Sequence, residues 1–427
     1  MNTIETIYKH FLKSGKISTD SRMVEDGAVF FALKGDNFDA NDFALQVADE
    51  GKASLVVCSR HDLPEHDKIL KVDDTLTALQ QLANHHRKQS KATIIAITGT
   101  NGKTTTKELV SAVLERKYNI VNTRGNFNNH IGVPLTLLNI KPETEIAIVE
   151  MGANHPGEID ALCHIANPDY GLITNIGMAH LQGFGSFEGI VNTKTELYRY
   201  IKEKGKAVFV NRDNDLLWKL SEAQQRLSYG TRPDADTQVI PEDCNPYLNV
   251  RWGQHEIATQ LIGNYNFENV AAAIAVGQYM QVDENEIVAA LESYVPTNNR
   301  SQVIESGTNR IVMDAYNANP TSMQAALRNF KRICVEPNLL ILGDMRELGD
   351  YAEREHRNIL SLMEELNFKN AFLVGPNFSA YNTHAGWLNF KNVEELSQYI
   401  ENHPIKEHQI LIKGSRGIRL ESILPLL

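Results

Sequence analysis

The chain has 427 residues and a formal net charge of −11, and it contains no long Lys/Arg cluster, which argues against a nucleic-acid-binding protein. Its four cysteines lie far apart without a CxxC spacing, which excludes a zinc knuckle or a disulfide framework as the basis of the fold. Because neither an apolar run of about 18 residues nor a signal-peptide pattern occurs, we expect a cytoplasmic protein without membrane insertion, and the length suggests roughly three domains.

Short β-rich runs and helical patterns occupy the first 90 residues. Residues 28–33 and 53–58 predict strands, and residues 75–87 predict a helix. The polar segment 85–91 predicts a linker, so we place the first domain boundary at residue 90.

A glycine-rich segment follows the next predicted strand and precedes a helical pattern. Its residues are Gly99, Thr100, Asn101, Gly102, Lys103, Thr104 and Thr105. Glycines in such a turn let backbone N–H groups surround phosphate oxygens, while Lys103 adds positive charge and the Thr104 hydroxyl can bind Mg²⁺. Only two residues separate Gly99 from the Gly102–Lys103 pair, whereas the general P-loop has four. The segment predicts a triphosphate site with a short loop, the alternative being a structural turn with an incidental lysine.

Apolar strands alternate with helices from residue 91 to residue 300, with strand candidates at 94–97, 146–150, 171–176 and 207–210. This alternation predicts a parallel sheet with helices on both faces. Ligands of such sheets collect at the carboxyl ends of strands, where Glu150 and His180 occur. Taken alone, Glu150 is more simply a solvated or capping residue and His180 a structural one. Their shared edge with the phosphate loop favours a role in the site.

The α/β pattern resumes in residues 301–427, with strand candidates at 311–314, 339–342, 371–374 and 410–412. It predicts a smaller Rossmann-like domain. We therefore expect an α/β protein of three domains, 1–90, 91–300 and 301–427, with a P-loop-type parallel sheet in the middle domain.

Several segments together resemble the ATP-dependent Mur ligases of peptidoglycan synthesis. They follow that family in order and spacing and comprise residues 99–105, 150–154, 174–181, 194–196 and 263–272. Residues 20–22 and 30–35 resemble the family's N-terminal uridine-nucleotide-binding domain, so the resemblance extends over essentially the whole chain. One departure is the sequence Asp-Ala-Asn-Asp-Phe at residues 39–43, where members commonly show Asp-Gly-His-Asp-Phe.

The resemblance implies ATP and two Mg²⁺ ions as cofactors. Lys103 and Arg300 would stabilise the transferred phosphoryl group. Thr104 and Glu150 would hold one ion, and His180 and Lys194 would hold the second. Lys194 would be carbamylated by CO₂, which gives it an oxygen ligand for a hard cation. Without the resemblance, Lys194 would be interpreted as a surface charge on a helix.

Further residues would contact the nucleotide. Asn266 and Asn269 are three positions apart on a predicted helix and can face adenine or ribose from one side, with helix capping an equal alternative for Asn266. Asp314, Tyr316 and Asn317 would close over the nucleotide from the third domain. The Tyr316 ring would stack on it, unless this residue simply packs at the end of a strand.

The acceptor substrate would meet a different group of side chains. We expect these to be Ser21, Arg22, Asn126, Asn128 and Asn129, although a plain turn is the alternative for the three asparagines. Amides can hydrogen-bond sugar and peptide groups without adding charge.

Two segments near the start of the third domain, residues 314–323 and 342–349, resemble one branch of the family. That branch joins D-alanyl-D-alanine to a UDP-N-acetylmuramoyl tripeptide and releases ADP, and we expect a monomer. The alternatives are a Mur ligase that adds the third amino acid, a folylpolyglutamate-type ligase and, from another class, a nucleotide-switched binding protein. Phosphate release that depends on D-alanyl-D-alanine would distinguish an enzyme from a switch.

Overall fold

The computed structural model describes residues 3–35, 37–297 and 300–427. Its strands form three sheets of four, nine and six strands, which follow one another along the chain. The predicted three-domain α/β fold is therefore confirmed. Within the described residues, no helix is long and apolar enough to span a membrane.

The first sheet is parallel, with strand order β1-β2-β3-β4. Its region comprises α1 (Thr3–Ser14), β1 (Ile17–Ser18), β2 (Val29–Phe31), α2 (Ala44–Asp49), β3 (Leu55–Cys58), β4 (Ile69–Lys71) and α3 (Thr75–Gln89). The Asp74 side chain caps α3 by accepting a 2.6 Å hydrogen bond from the backbone N–H of Thr77. The predicted linker at 85–91 is wrong in its first five residues, because α3 continues to Gln89.

Helix α3 packs against both the first and the second domain. Leu79 and Leu82 are fully buried in an apolar core that also contains residues of both sheets. The polar residues at the end of the helix are engaged as well. His86 Nε2 lies 2.7 Å from the carbonyl oxygen of Ile140, and Arg87 forms a 3.0 Å ion pair with Asp169. These contacts, which no local sequence pattern reveals, explain why a polar segment is helical here.

The second sheet has the strand order β13-β12-β11-β10-β9-β8-β5-β7-β6. Its region comprises β5 (Thr93–Thr98), α4 (Lys103–Leu114), β6 (Ile120–Asn122), α5 (Gly132–Leu137), β7 (Ile146–Glu150), α6 (Glu158–Ala166), β8 (Tyr170–Ile173), α7 (Leu181–Phe184), α8 (Phe187–Lys194), α9 (Glu196–Lys204), β9 (Ala207–Asn211), α10 (Asp215–Leu220), β10 (Arg226–Gly230), β11 (Thr237–Cys244), β12 (Tyr247–Trp252), β13 (His255–Ile262), α11 (Phe267–Tyr279) and α12 (Glu284–Ser293). Strands β5 to β10 pair in parallel, as expected. Strands β12 and β13 add an antiparallel extension that the sequence analysis did not predict.

The third sheet has the order β14-β15-β19-β16-β17-β18 and is parallel except for the β14–β15 pair. Its region comprises β14 (Gln302–Ser306), β15 (Asn309–Asp314), α13 (Pro320–Ile333), β16 (Asn338–Gly343), α14 (Ala352–Glu365), β17 (Ala371–Val374), α15 (Pro376–Tyr381), β18 (Trp387–Phe390), α16 (Val393–Asn402) and β19 (Gln409–Lys413). All four strands predicted in this region are present. The boundaries at residues 90 and 300 stay predictions.

Candidate active site

A cavity of about 1150 Å³ lies between the strand ends of the middle sheet and the third domain. Lys103 and Glu150 line it from the middle domain, Tyr316 lines it from the third domain, and Gln80 of α3 contributes to its wall. Elements of all three domains therefore surround one space, at the sheet edge where α/β proteins bind ligands.

The glycine loop between β5 and α4 is fixed by the segment that follows β8. Thr100 N donates to the carbonyl oxygen of Asn175 at 2.9 Å, and Asn101 N donates to the Asn175 side-chain oxygen at 3.0 Å. Gly102 has φ +80°, and a Cβ atom there would come within 2.5 Å of Asn269 Oδ1. Only glycine fits this position without displacing Asn269, so the loop and α11 are matched in shape.

Lys103, the first residue of α4, extends over the loop. Its Nζ donates to the carbonyl oxygens of Gly99 at 2.8 Å and Thr100 at 3.0 Å. Burial lowers the pKa of Lys103, while the negative charge of Glu150 opposes that shift. The ammonium group thus lies where it can meet phosphate oxygens bound at the helix N-terminus.

Glu150 at the end of β7 is buried and only half satisfied. Its Oε1 accepts a 2.7 Å hydrogen bond from Asn128 Nδ2, whereas its Oε2 has no hydrogen-bond partner among the residues the structure describes. A buried carboxylate oxygen without a partner is costly unless a cation binds it. The buried hydroxyl residue Thr104 is the second residue of α4, at the same sheet edge.

Glu150 and Thr104 suit Mg²⁺ better than a metal ion whose ligands all come from the protein. The described parts of the chain contain no group of three or more His, Cys, Asp or Glu residues that could hold a metal ion. Mg²⁺ commonly takes one or two carboxylates and completes its coordination with substrate phosphates and water. Glu150 and Thr104 beside the phosphate loop meet that requirement.

Lys194 ends α8 and is buried, which rules out the surface-charge interpretation. Its Nζ lies 3.5 Å from the carbonyl oxygen of Ala153 and 5.5 Å from the centre of the Phe184 ring. Burial, aided by the positive charge of Lys103, lowers the pKa of Lys194 to about 7. The His180 ring lies 6.3 Å from the same Phe184 ring, so the structure brings His180 and Lys194 around one aromatic side chain.

His180 contacts the third domain directly. Its Nδ1 forms a hydrogen bond with the Glu347 carboxylate, from the loop after β16. Glu347 also lines the cavity. Glu347 lies within segment 342–349, but it was not predicted as a site residue. Its partner, His180, is 167 positions away in the sequence.

Tyr316 is covered by arginine. The Arg300 guanidinium lies 3.7 Å from the centre of the Tyr316 ring, and that of Arg416 lies 5.2 Å from it. One side of the ring predicted to stack on the nucleotide is therefore occupied by Arg300 in a cation–π contact. Arg416 was missed, and its position just after a predicted strand was the available signal.

Asp314 is paired within the third domain. Its carboxylate accepts a 2.6 Å hydrogen bond from Lys413 Nζ, and Lys413 is almost completely buried. The same ammonium group lies 3.3 Å from the carbonyl oxygen of Asn317. Lys413 thus fixes the strand end that carries two of the predicted nucleotide contacts, and it too was missed, since it directly follows the predicted strand 410–412.

Asn266, at the N-cap position just before α11, and Asn269, in the first turn of α11, bind each other. Asn269 Nδ2 donates to Asn266 Oδ1 at 2.9 Å, and Asn269 Oδ1 accepts from the Thr106 hydroxyl of α4 at 2.9 Å. Asn266 Nδ2 donates to the carbonyl oxygen of Ile262 at 2.8 Å. Asn266 thus occupies the N-cap position of the capping alternative, but its side chain makes no cap hydrogen bond. The Asn269 amide holds α11 against the phosphate-loop helix, the Asn266 amide supports that of Asn269, and both residues line the cavity.

The predicted acceptor residues divide into two groups. Asn126, Asn128 and Asn129 line the cavity, although Asn129 also closes a turn by accepting hydrogen bonds from the N–H groups of Ile131 and Gly132. Ser21 and Arg22 are not among the cavity-lining residues.

Comparisons with known proteins agree with this arrangement. Residues 97–277 match the Mur ligase middle domain, and residues 299–416 match the Mur ligase, glutamate ligase domain. The chain is 36% identical to the UDP-N-acetylmuramoyl-tripeptide--D-alanyl-D-alanine ligase of Bacillus subtilis (strain 168), over 96% of this chain and 92% of that protein. The chain belongs to the Mur ligase family. Its fold matches that of the Mur ligase MurF from Acinetobacter baumannii with a TM-score of 0.86 and 33% identity, covering 96% and 93% of the two chains.

A second solved Mur ligase, MurF from Thermotoga maritima in complex with ADP, matches with a TM-score of 0.82 and 26% identity over 96% of each chain. The ADP bound in that structure supports ATP as the nucleotide that the family uses. Most of the site residues predicted for this Mur ligase line this cavity, namely Thr100, Asn101, Gly102, Lys103, Thr104, Thr105, Asn126, Asn128, Asn129, Glu150, His180, Asn266, Asn269, Arg300, Asp314, Tyr316 and Asn317. Gly99, Lys194, Ser21 and Arg22 do not line it.

Proposed function

We propose that this Mur ligase joins D-alanyl-D-alanine to a UDP-N-acetylmuramoyl tripeptide at the expense of ATP. The observation that carries the proposal is the position of segment 314–323, which resembles this branch of the family, against the phosphate loop. Asn319 Nδ2 donates to Asn101 Oδ1 at 2.7 Å, so the two motifs face one cavity. The Bacillus subtilis ligase, whose name states this reaction and which is similar over nearly the whole chain, supports the same branch.

The proposed reaction has two steps. The tripeptide carboxylate attacks the γ-phosphorus of ATP, ADP leaves and an acyl phosphate forms. The amine nitrogen of D-alanyl-D-alanine then attacks the acyl carbon and loses a proton, and inorganic phosphate leaves. Lys103 and Arg300 oppose the charge of the phosphoryl oxygens, since phosphoryl transfer depends mainly on positioning and electrostatic stabilisation.

Two Mg²⁺ sites complete the proposal. Glu150 and Thr104 hold one ion, for which the unpartnered Oε2 of Glu150 is the supporting observation. His180 and a carbamylated Lys194 hold the other, beside the acyl carboxylate. Bound Mg²⁺ supplies charge neutralisation at the reacting oxygens.

Carbamylation of Lys194 requires a neutral amine, and the low pKa of this buried lysine supplies one near pH 7. A carbamate replaces the positive charge of the lysine side chain with a negative charge, and a second bound cation requires a negative charge there. Lys194→Ala should be nearly inactive and should regain part of its activity with a small carboxylic acid. Lys194→Arg should stay inactive, and near-normal turnover of that variant would show that positive charge is what this position supplies.

The predicted substrate-binding residues are part of this proposal. Asn126, Asn128 and Asn129 contact the acceptor peptide or sugar from the cavity wall, and Ser21 and Arg22 bind the uridine nucleotide within the first domain. Asp314, Asn317 and the pair Asn266 and Asn269 surround the nucleotide. We further propose a monomeric cytoplasmic enzyme.

A phosphate-release assay tests the function. UDP-muramoyl dipeptide and tripeptide are each assayed with ATP and with D-alanyl-D-alanine, free D-alanine, L-lysine or glutamate. We expect rapid release only for the tripeptide with the D,D-dipeptide. Equal rates with single amino acids would indicate another branch of the family, and release that ignores the amine would favour a nucleotide-switched binding protein.

A further inference from the structure

Two residues in an unusual backbone conformation meet where the middle and third domains touch. His180 has φ +50° and Glu347 has φ +64°, both in the left-handed region that non-glycine residues seldom adopt. Such strained conformations concentrate at functional sites. The hydrogen bond between His180 Nδ1 and the Glu347 carboxylate joins these two residues.

The loop that carries Glu347 lies on the helix that begins after His180. Gln182 N lies 3.5 Å from the carbonyl oxygen of Glu347, and a Cβ atom on Gly349 would be 3.3 Å from the Gln182 side chain. Tyr351 packs against the apolar cluster of Leu181, Phe184 and Ile190. Residues 347, 349 and 351 therefore all contact the segment that follows His180.

The same loop is anchored firmly within the third domain. Arg346 N donates to the Ser415 hydroxyl at 2.9 Å, and Met345 N donates to His356 Nε2 at 3.1 Å. Met345 and Leu348 are buried. Glu347 consequently moves with the third domain as a fixed part of it.

We propose that Glu347 is a positioning residue, which orients the His180 ring only when the third domain lies against the middle domain. By holding Nδ1, the carboxylate sets the tautomer and the ring orientation, and it leaves Nε2 as the nitrogen available to the cavity. The third domain thereby completes the site, so turnover is coupled to domain closure. This inference rests on the proposed function.

The first test is a double-mutant cycle on phosphate release. Glu347→Ala should lower kcat by about 10- to 100-fold, as for other carboxylates that orient a histidine ligand, with the KM for ATP nearly unchanged. Glu347→Gln, which keeps an acceptor oxygen, should recover part of the loss. In a His180→Asn background, Glu347→Ala should have no further effect. Additive losses would overturn the proposal.

The matched control is Asp350→Ala, which removes an exposed carboxylate from the same loop and should leave kcat unchanged. A second measurement, amide hydrogen exchange at residues 180–184, needs no turnover. Exchange should be faster in Glu347→Ala by about tenfold and unchanged in Asp350→Ala. Equal exchange in the wild type and Glu347→Ala would overturn the positioning role. If the wild type turns over no tripeptide but the exchange result holds, the proposed function fails and the contact stands.

Discussion

The middle domain contacts its two neighbouring domains through different kinds of surface. Towards the first domain, α3 shares an apolar core with both sheets, and Leu79 and Leu82 are fully buried in it. Towards the third domain, polar pairs such as Asn101 with Asn319 and His180 with Glu347 accompany smaller apolar contacts, such as Tyr351 on the cluster around Phe184. The first and middle domains should therefore behave as one body.

Because of this difference, we expect one boundary to matter mainly for stability and the other mainly for catalysis. An apolar boundary loses free energy in proportion to the surface exposed when it opens, whereas polar contacts exchange with water at little net cost. We therefore expect the third domain to open and close over the cavity. Substitutions at the first boundary should lower stability, and substitutions at the second should lower turnover.

The largest effect is expected at the phosphate loop, which faces the polar boundary. Lys103→Ala should lower kcat by about 1000-fold, roughly 4 kcal/mol of barrier, because the ammonium group meets the transferred phosphoryl charge. The melting temperature should stay near that of the wild type. Phosphate release measures the first quantity and calorimetry the second, with the exposed Lys141→Ala as control. Retention of more than about a tenth of the wild-type rate would refute the phosphate role.

At the apolar boundary the effect should fall on stability. Leu82→Ala should lower the free energy of unfolding by about 3 kcal/mol, since a fully buried side chain leaves a cavity in the shared core. Urea titration of this variant and of Gln81→Ala, on the exposed face of α3, provides the comparison. If the Leu82 variant unfolded the first domain in a separate early transition, the two domains would not be one cooperative body.

A smaller effect is expected from the contact between Asn319 and Asn101. Asn319→Ser keeps an oxygen that can cap α13 but removes the amide donor to Asn101. Turnover should fall about tenfold, equivalent to roughly 1.4 kcal/mol, without a change in melting temperature. Asn101→Ala should reproduce the loss, and combining both changes should add little. A lowered melting temperature with normal kcat would assign Asn319 to stability alone.

The smallest effect concerns a buried carboxylate in the cavity wall. Burial, with the charge of Asp213, raises the pKa of Glu268 to about 7, so the folded state binds a proton that the unfolded state has released. Stability from this proton is present at low pH and is lost as the pH rises from the ordinary glutamate range towards 7. Glu268→Gln should therefore raise the melting temperature at pH 8 and change it little at pH 4. An equal gain at both values would show that folding does not raise the pKa of this carboxylate.

The sequence by itself determined the features formed by neighbouring residues. Strand β7 and strand β17 have the predicted bounds, and the phosphate loop lies between a strand and a helix as expected. Glycines, strand-end polar residues and apolar periodicity act over a few positions, so the order of residues is sufficient to reveal them. Most of the site residues that the family resemblance implies then line the cavity.

Tertiary structure alone decided which distant residues meet. Nothing near Glu347 indicates His180, and nothing near residues 85–89 indicates the middle-domain helices that keep this polar segment helical. Arg300 covers the Tyr316 ring because the antiparallel pairing of β14 with β15, which was not predicted, brings the chain just before β14 beside the chain just after β15. Such pairings depend on domain geometry, which is set by the buried apolar surface of the whole chain and not by any local pattern.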